Sequence, residues 1–199
     1  MGAINRTPFG SVFEANLGFE TVELDDSPNR YITEIASLSA PNLFERKYFA
    51  KLDASYTYES YDNYLNPSSG MEFKLNLGAT INTKNTQRYF GRIEPSILFY
   101  NAISTNRKLV LKTHLNSKVL RGDDFEFYQG AQLGGDNGLR GHRNERFTGE
   151  SFLVTGADLR YSFNQFRTRF LPFQIGVFGG GDFGRVWLDG EESSKWHPD

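Results

Sequence analysis

The amino-acid sequence predicts an all-β protein, an antiparallel transmembrane β-barrel with about eight strands present. Three observations support this fold class. Apolar and polar residues alternate with a period of two in several segments, whereas no window shows the 3.6-residue periodicity of an amphipathic helix. Most of these segments exceed the roughly 9 to 11 residues that a tilted strand needs to cross a bilayer. Short polar segments rich in turn-forming residues connect them.

The alternation is clearest in "GMEFKLNLGATIN" (70–82), where every second residue from Met71 to Ile81 is apolar or small and the residues between are mostly polar. "KYFAKLDASYTYES" (47–60) shows the same pattern. The connections "DDSPNR", "NPSSG", "NTKNTQ" and "NQFRTR" are short and polar, which predicts antiparallel neighbours. The predicted strands cover residues 11–24, 30–39, 47–60, 70–82, 88–101, 107–120, 150–163 and 171–188.

Length and composition restrict the possible functions. A chain of 199 residues predicts a single domain, 1–199, interrupted by a long inter-strand loop at about 121–148. Lys and Arg total 22 against 24 for Asp and Glu, so no basic excess favours nucleic acid as a partner. The absence of cysteine excludes a disulfide scaffold and a thiolate metal site. The start "MGAINRTPFG" has no apolar run, so it predicts neither a secretory signal nor a transmembrane helix.

Alternation alone does not distinguish a membrane barrel from a soluble sandwich or a lipocalin-like barrel, because it does not show which face points outward. Strand length, short hairpins and an aromatic content of 15% favour the membrane barrel. In that case the lumenal face contains Lys74, Arg92, Glu94, Asp158, Arg160 and Asp182. The expected aromatic girdle at the bilayer interfaces consists of Tyr48, Tyr56, Tyr58, Tyr61, Phe99, Tyr100 and Trp187.

Four motifs occur in a fixed order along the chain. The first is the Asp-Asn pair followed by Pro and Gly in "YESYDNYLNPSSGMEFKLNL", and the second is "LGGDNGLRGH". The third is the acidic residue, Leu and Arg of "GADLRYSF", and the fourth is "FGGGDFGRVW". Together, over about 48–187, they resemble the C-terminal barrel of the BamA-type outer-membrane assembly superfamily. This superfamily is also called the bacterial surface antigen family, and it includes TamA-like and two-partner-secretion translocators.

The resemblance implies an excerpt of a sixteen-strand barrel in the bacterial outer membrane that assembles or inserts outer-membrane proteins or translocates a polypeptide. The implied partners are outer-membrane lipid, unfolded outer-membrane or secreted polypeptide clients, and periplasmic domains of the full-length chain. We expect no enzymatic activity and no cofactor. One departure from the family pattern is His142, which stands where the family has Phe or Tyr.

The resemblance also implies a role for the long loop at about 121–148, which has no clear strand in the sequence. In relatives this loop folds back into the lumen, so Arg140 is expected to reach Asp158 and Asp182. Strand alternation independently puts both carboxylates on the polar face. Arginine suits such a contact because its planar guanidinium bonds two carboxylates and stays charged. Gly141 is expected to allow a tight turn, and Gly180 and Gly184 to allow close approach of the loop backbone.

Other interpretations of the loop are weaker. "GGDNGLRG" matches neither phosphate-binding glycine pattern, and no predicted helix follows it. Asp136 and Asn137 lack the spaced carboxylates of a calcium loop, and His114, His142 and His197 lack metal-ligand spacing. A simple turn at "GGDNG" is an alternative for the loop. For the whole chain, the alternatives are a barrel that anchors a fused phosphoesterase or patatin-like hydrolase, and a soluble β-barrel binding protein.

The last residues, "GEESSKWHPD", combine Pro and charge without periodicity. They are expected to form an external loop.

Overall fold

A computed structural model of the chain describes residues 2–6, 10–27, 42–123, 125–167, 169, 171–188, 190 and 195–199. The strands in chain order are β1 (Gly2–Arg6), β2 (Ser11–Val22), β3 (Lys47–Tyr61), β4 (Gly70–Asn82), β5 (Tyr89–Ala102), β6 (Leu109–Asp123), β7 (Ala131–Leu133), β8 (Phe147–Gly149), β9 (Ser151–Ser162), β10 (Phe166–Arg167), β11 (Pro172–Phe173), β12 (Gly176–Trp187) and β13 (His197–Pro198).

Nine of these strands form one sheet, in the order β1-β2-β3-β4-β5-β6-β9-β12-β13. Every pairing in it is antiparallel. The order of the strands in this sheet follows their order in the chain, and short connections join β3 to β4, β4 to β5 and β5 to β6. Within the described part of the chain the sheet is open, with β1 and β13 at its edges. This arrangement agrees with the expected excerpt of a larger barrel.

The predicted strands that fall within the described residues are all present, with shifted boundaries. The predicted strand 30–39 lies outside the described residues. The last predicted strand, 171–188, is shorter than expected, because Pro172–Phe173 pairs instead with Phe166–Arg167 as a separate ribbon. Two short edge strands, β1 and β13, were not predicted, because "GAINR" does not alternate apolar with polar residues and "HP" is too short to show a period.

The two faces of the sheet differ in chemistry. Register pairs Leu17 with Leu52 and Leu52 with Ala79, so these residues share one face, and Leu17 and Leu52 are 64% and 52% exposed. We call this the apolar face. The opposite face carries cross-strand ion pairs, including Asp53 with Arg92 at 2.7 Å and Glu94 with Lys118 at 3.5 Å. We call this the loop face, because the segment 125–150 packs on it.

Two residues of the predicted aromatic girdle are on the wrong face for that role. Tyr61 donates a hydrogen bond to Glu72 at 3.0 Å, and its ring lies 5.7 Å from that of Tyr100. Arg160 in turn lies over the Tyr100 ring, 5.9 Å from its centroid. Both tyrosines therefore point to the loop face. The prediction failed because it followed aromatic clustering, whereas Tyr61 shares the parity of the polar residues of β3.

Helices contribute little to the described residues. The two helical segments are single 3-10 turns, Phe127–Gln129 and Gly135–Asn137. Among the residues described, no helix has the length and hydrophobicity to cross a membrane.

Candidate functional site

The segment 125–150, which we call the inserted loop, connects β6 to β9 and is more ordered than the sequence predicted. It contains the two 3-10 turns and a small hairpin of β7 and β8. Its entry is set by Gly122, whose φ of 136° favours glycine and whose position leaves no space for a side chain beside Tyr89 and Phe90. The expectation of a strandless segment from 121 to 148 is therefore wrong, since β6 continues to Asp123 and two three-residue strands follow.

An apolar cluster holds the inserted loop against β9 and β12. The cluster joins loop residues to residues of both strands, and Leu133, Leu139 and Val154 are fully buried. Its buried members are Ala131, Leu133, Leu139, Phe152, Val154 and Val186, with Phe147 packed against them. Burial of two leucine side chains contributes roughly 1.5 to 3 kcal/mol each, so this cluster provides much of the adhesion between loop and sheet.

Arg140, which follows Leu139 of this cluster, contacts both carboxylates on the loop face. Its Nε donates to Asp182 Oδ2 at 2.6 Å, and its Nη2 donates to Asp182 Oδ1 at 3.0 Å and to Asp158 Oδ1 at 2.8 Å. The side chain of Asp182 is 1% exposed and that of Asp158 is 9% exposed. One guanidinium thus links a residue of the loop to two strands of the sheet. The hydrogen bond from Arg140 to Asp182, and to a lesser extent the one to Asp158, raises the pKa of Arg140 above its usual value.

A glycine lies opposite each carboxylate on the neighbouring strand. Register pairs Asp158 with Gly180 and Asp182 with Gly156. A Cβ atom at Gly180 would overlap Asp158 and the Ala157 carbonyl, and one at Gly156 would overlap Asp182. The glycines therefore provide the space in which the carboxylates turn towards Arg140. Gly156 was not predicted, because its role depends on strand register.

The two glycines expected to allow loop approach behave differently. Gly184 does so, since a Cβ there would lie 2.8 Å from Leu133 Cδ2 and 3.3 Å from Leu139 Cδ1 of the loop. Gly180 instead faces β9 and makes room for Asp158. The neighbouring Gly179 has nothing within 4 Å of its position for a Cβ.

The different surroundings of Gly180 and Gly179 provide a matched pair of substitutions. Gly180→Ala is expected to force β9 and β12 apart around Asp158 and to destabilise the domain by about 1–3 kcal/mol, because a fixed carbonyl blocks the added methyl. Gly179→Ala on the same strand is expected to change stability by less than about 0.5 kcal/mol. Urea unfolding in detergent, followed by the folded band on a semi-native gel, measures both. Equal effects would contradict the assigned role of Gly180.

Two further residues of β6 lie beside the Arg140 contact. Lys112 Nζ is 3.7 Å from Asp158 Oδ2, and His114 Nε2 is 3.5 Å from Asp182 Oδ1. Neither residue was predicted as a neighbour of the site, although alternation along β6 puts Lys112 and His114 on one face. A polar cavity of about 540 Å³ lies between this wall and the loop, lined in part by Glu94, Lys118 and Asn137.

Gly141 and His142 contact the end of the chain. The turn from Leu139 to His142 is closed by a 3.1 Å hydrogen bond from the His142 amide to the Leu139 carbonyl. Gly141 lies in that turn without a positive φ, and its amide donates to Asp199 Oδ2. The His142 ring is 5.4 Å from the Phe147 ring and 6.0 Å from the His197 ring. A ring at position 142 thus packs on the loop hairpin.

The described residues at the chain end do not form the expected external loop. His197 and Pro198 pair with Gly184 and Phe183 of β12, and the Asp199 amide donates to the Asp182 carbonyl at 2.9 Å. An edge strand offers unpaired backbone groups, which explains why this segment adds to β12.

The Asp-Asn motif forms a second ordered turn, between β3 and β4. Asp62 Oδ1 accepts from the amides of Asn63, Ser68 and Ser69 at 2.8 to 3.0 Å. The Ser68 hydroxyl also donates a hydrogen bond to Asp62. This bond makes the largest contribution, and together with the amide bonds it holds the pKa of Asp62 well below its usual range. Arg160 of β9 donates to the Pro67 carbonyl, which ties this turn to the wall that carries Asp158.

Asp62→Ala is expected to loosen the 62–69 turn, because three backbone amides lose their acceptor. Hydrogen exchange at residues 63, 68 and 69 should accelerate by about tenfold, with Asp136→Ala, an exposed aspartate of the inserted loop, as the control. Since the folded-state pKa is lowered, the Asp62 contribution is present above the ordinary pKa of about 3.9 and is lost only as pH falls below it. Unchanged exchange in Asp62→Ala would show that the turn is held by other contacts.

In the part of the chain that the structure describes, His, Asp and Glu side chains nowhere form a group of three that could hold a metal ion.

Comparisons with known proteins identify the family and a similar fold. The sequence matches no curated protein. The fold is similar to the crystal structure of BamA from Haemophilus ducreyi lacking POTRA domains 1-3, with a TM-score of 0.61 and 15% identity over 90% of this chain. The match covers 39% of the length of that crystallised chain. A family profile described as the Omp85 superfamily domain matches residues 8–198. The chain therefore belongs to the Omp85 superfamily.

Proposed function

We propose that the chain forms part of a bacterial outer-membrane β-barrel that assembles or inserts outer-membrane proteins, or translocates a polypeptide, with the inserted loop as a plug in its lumen. The main support for this proposal is that the inserted loop packs on the polar face of the sheet, where Arg140 bonds two buried carboxylates. Family membership supports the class of activity. The proposal also requires that the apolar face contact lipid.

The exposure of the apolar face supports that requirement. Phe19, Leu52 and Ile93 are 66%, 52% and 48% exposed, and they lie on the face opposite to the ion pairs. A soluble protein would leave this large surface in water at a cost of about 25 cal/mol per Å². In a membrane barrel the same surface meets hydrocarbon while the polar face lines the lumen. The distribution of polarity thus favours the membrane barrel over a soluble binding protein.

The proposed mechanism involves binding and positioning. The loop occupies the lumen and is fixed to both β9 and β12, because Arg140 bonds one carboxylate on each strand. The proposed clients are unfolded outer-membrane proteins or secreted polypeptides, which pair with exposed strand edges by backbone hydrogen bonds. Periplasmic domains of the full-length protein are proposed to deliver them. This mechanism requires no cofactor and no covalent step.

The test uses the full-length protein in proteoliposomes with an unfolded outer-membrane protein as the client. We expect the protein to accelerate client folding, measured as the heat-modifiable band on a gel, relative to empty liposomes. A protein that inserts but leaves client folding unchanged and transports no polypeptide would support the alternative of a membrane anchor for a fused hydrolase. A protein that stays in the aqueous phase would support the soluble binding protein.

A further inference from the structure

A second buried ion cluster lies at the start of the inserted loop, away from Arg140. The Glu126 carboxylate is 8% exposed, and its Oε1 lies 2.7 Å from Lys47 Nζ and 3.2 Å from Arg88 Nη2. The Lys47 side chain is itself 11% exposed. A buried carboxylate between two cations from separate elements is costly to place unless all three are held together.

The surrounding contacts fix Glu126 in this position. The Glu126 amide donates to Gln129 Oε1 at 2.9 Å, and the Gln129 amide donates back to the Glu126 carbonyl at 2.8 Å. The preceding residue, Phe125, packs its ring edge-on against Phe90 of β5 at 6.1 Å. The backbone turn and the aromatic contact both direct the carboxylate towards the sheet.

The two ion clusters attach the loop to different strands. Lys47 begins β3 and Arg88 immediately precedes β5, whereas Asp158 and Asp182 belong to β9 and β12. In the sheet, β6 separates β5 from β9. One further bond lies between the two clusters, from Lys118 Nζ to the Gly130 carbonyl at 3.2 Å. The loop therefore reaches from one group of strands to the other across the loop face.

We propose that Glu126 is a positioning residue that anchors the inserted loop to β3 and β5 independently of the Arg140 contact. The loop is then released in two separate steps. Its first part, around Glu126, separates from Lys47 and Arg88, and its second part, around Arg140, separates from Asp158 and Asp182. This inference deepens the proposed function and rests on it for its biological meaning, because a plug with two anchors can open one side of the lumen while the other stays closed.

The test is limited proteolysis of the full-length protein in detergent or proteoliposomes with chymotrypsin. Cleavage after Phe125, Phe127 or Tyr128 reports the first part of the loop, and cleavage after Phe147 reports the second. Tyr64 is 68% exposed in another turn and provides an internal reference site. Mass spectrometry of the products separates the three regions.

Glu126→Gln is expected to raise the first cleavage rate by at least about tenfold and the Phe147 rate by less than about twofold, because proteolysis follows the population of the open segment. Arg140→Gln is expected to give the inverse pattern. The matched control is Glu145→Gln, the same change at an exposed residue of the same loop. Lys47→Gln, which leaves the loop sequence intact, should reproduce the Glu126→Gln pattern more weakly and covers the case in which Glu126→Gln fails to fold.

Two results would overturn the inference. Equal increases at both sites in both loop variants would show that the loop opens as one unit. If neither Glu126→Gln nor Lys47→Gln changed the rate of cleavage after Phe125, Phe127 or Tyr128, the ion cluster around Glu126 would not hold the loop. Because the readout is a cleavage pattern and not client folding, failure of the proposed function leaves this outcome unaffected.

Discussion

Arg140→Ala is expected to release the second part of the inserted loop and to abolish most of the activity of the full-length protein. The substitution removes three hydrogen bonds and leaves Asp182, which is 1% exposed, with its charge largely uncompensated. Breaking a buried pair costs about 3–5 kcal/mol, and we expect about 3 kcal/mol here because the Arg140 side chain is 43% exposed. Chymotryptic cleavage after Phe147 and client folding measure the two consequences.

Two further variants make this prediction specific. Arg140→Lys keeps the charge, but a single ammonium group cannot reproduce the planar contact with two carboxylates, so an intermediate effect is expected. Arg143→Ala removes an exposed arginine three residues away and is expected to behave as the unmodified protein. If Arg140→Ala and Arg143→Ala gave the same cleavage rate and the same activity, the guanidinium contact would have no part in holding the loop.

Leu139→Ala is expected to destabilise the seated loop by about 2–5 kcal/mol, even though Arg140 remains. Leu139 is fully buried between the loop and the sheet, where it packs in the cluster that includes Leu133 and Val154. Truncation leaves a cavity that the strand backbones cannot fill, since β9 and β12 are fixed by their ladder. Hydrogen exchange of the loop amides and cleavage after Phe147 should both accelerate.

Leu65→Ala provides the matched control for this truncation. Leu65 is 97% exposed in the 62–69 turn, so the same loss of methyl groups should change stability by less than about 0.5 kcal/mol. A Leu139→Ala protein with a protected loop would mean that the apolar cluster adds nothing to the ionic contact.

The contact between Arg140 and the two carboxylates was implied by the family resemblance and supported by strand alternation. Alternation puts Asp158 and Asp182 on one face regardless of the fold, and the order of the motifs located the arginine that reaches them. The structure has this contact, while its role as a lumenal anchor stays a prediction. The antiparallel sheet was also predictable, because its long strands alternate and its hairpins are short.

Other parts of the site depend on which strands become neighbours. Gly156 matters because register brings it opposite Asp182, and Glu126 matters because the loop folds over β3 and β5. Neither relation leaves a local pattern in the sequence. The terminal residues His197 and Pro198 were assigned to a loop because two residues show no period, yet the free edge of β12 pairs with them.

A double-mutant cycle between Arg140→Gln and Asp182→Asn tests most directly whether their contact holds the loop. The readout is hydrogen exchange at the Leu139 and His142 amides, which are bonded within the seated loop at 3.0 and 3.1 Å. We predict that the two substitutions are coupled by at least about 1.5 kcal/mol, so that the double variant is little worse than Arg140→Gln alone. Additive effects, with coupling below about 0.5 kcal/mol, would contradict the account.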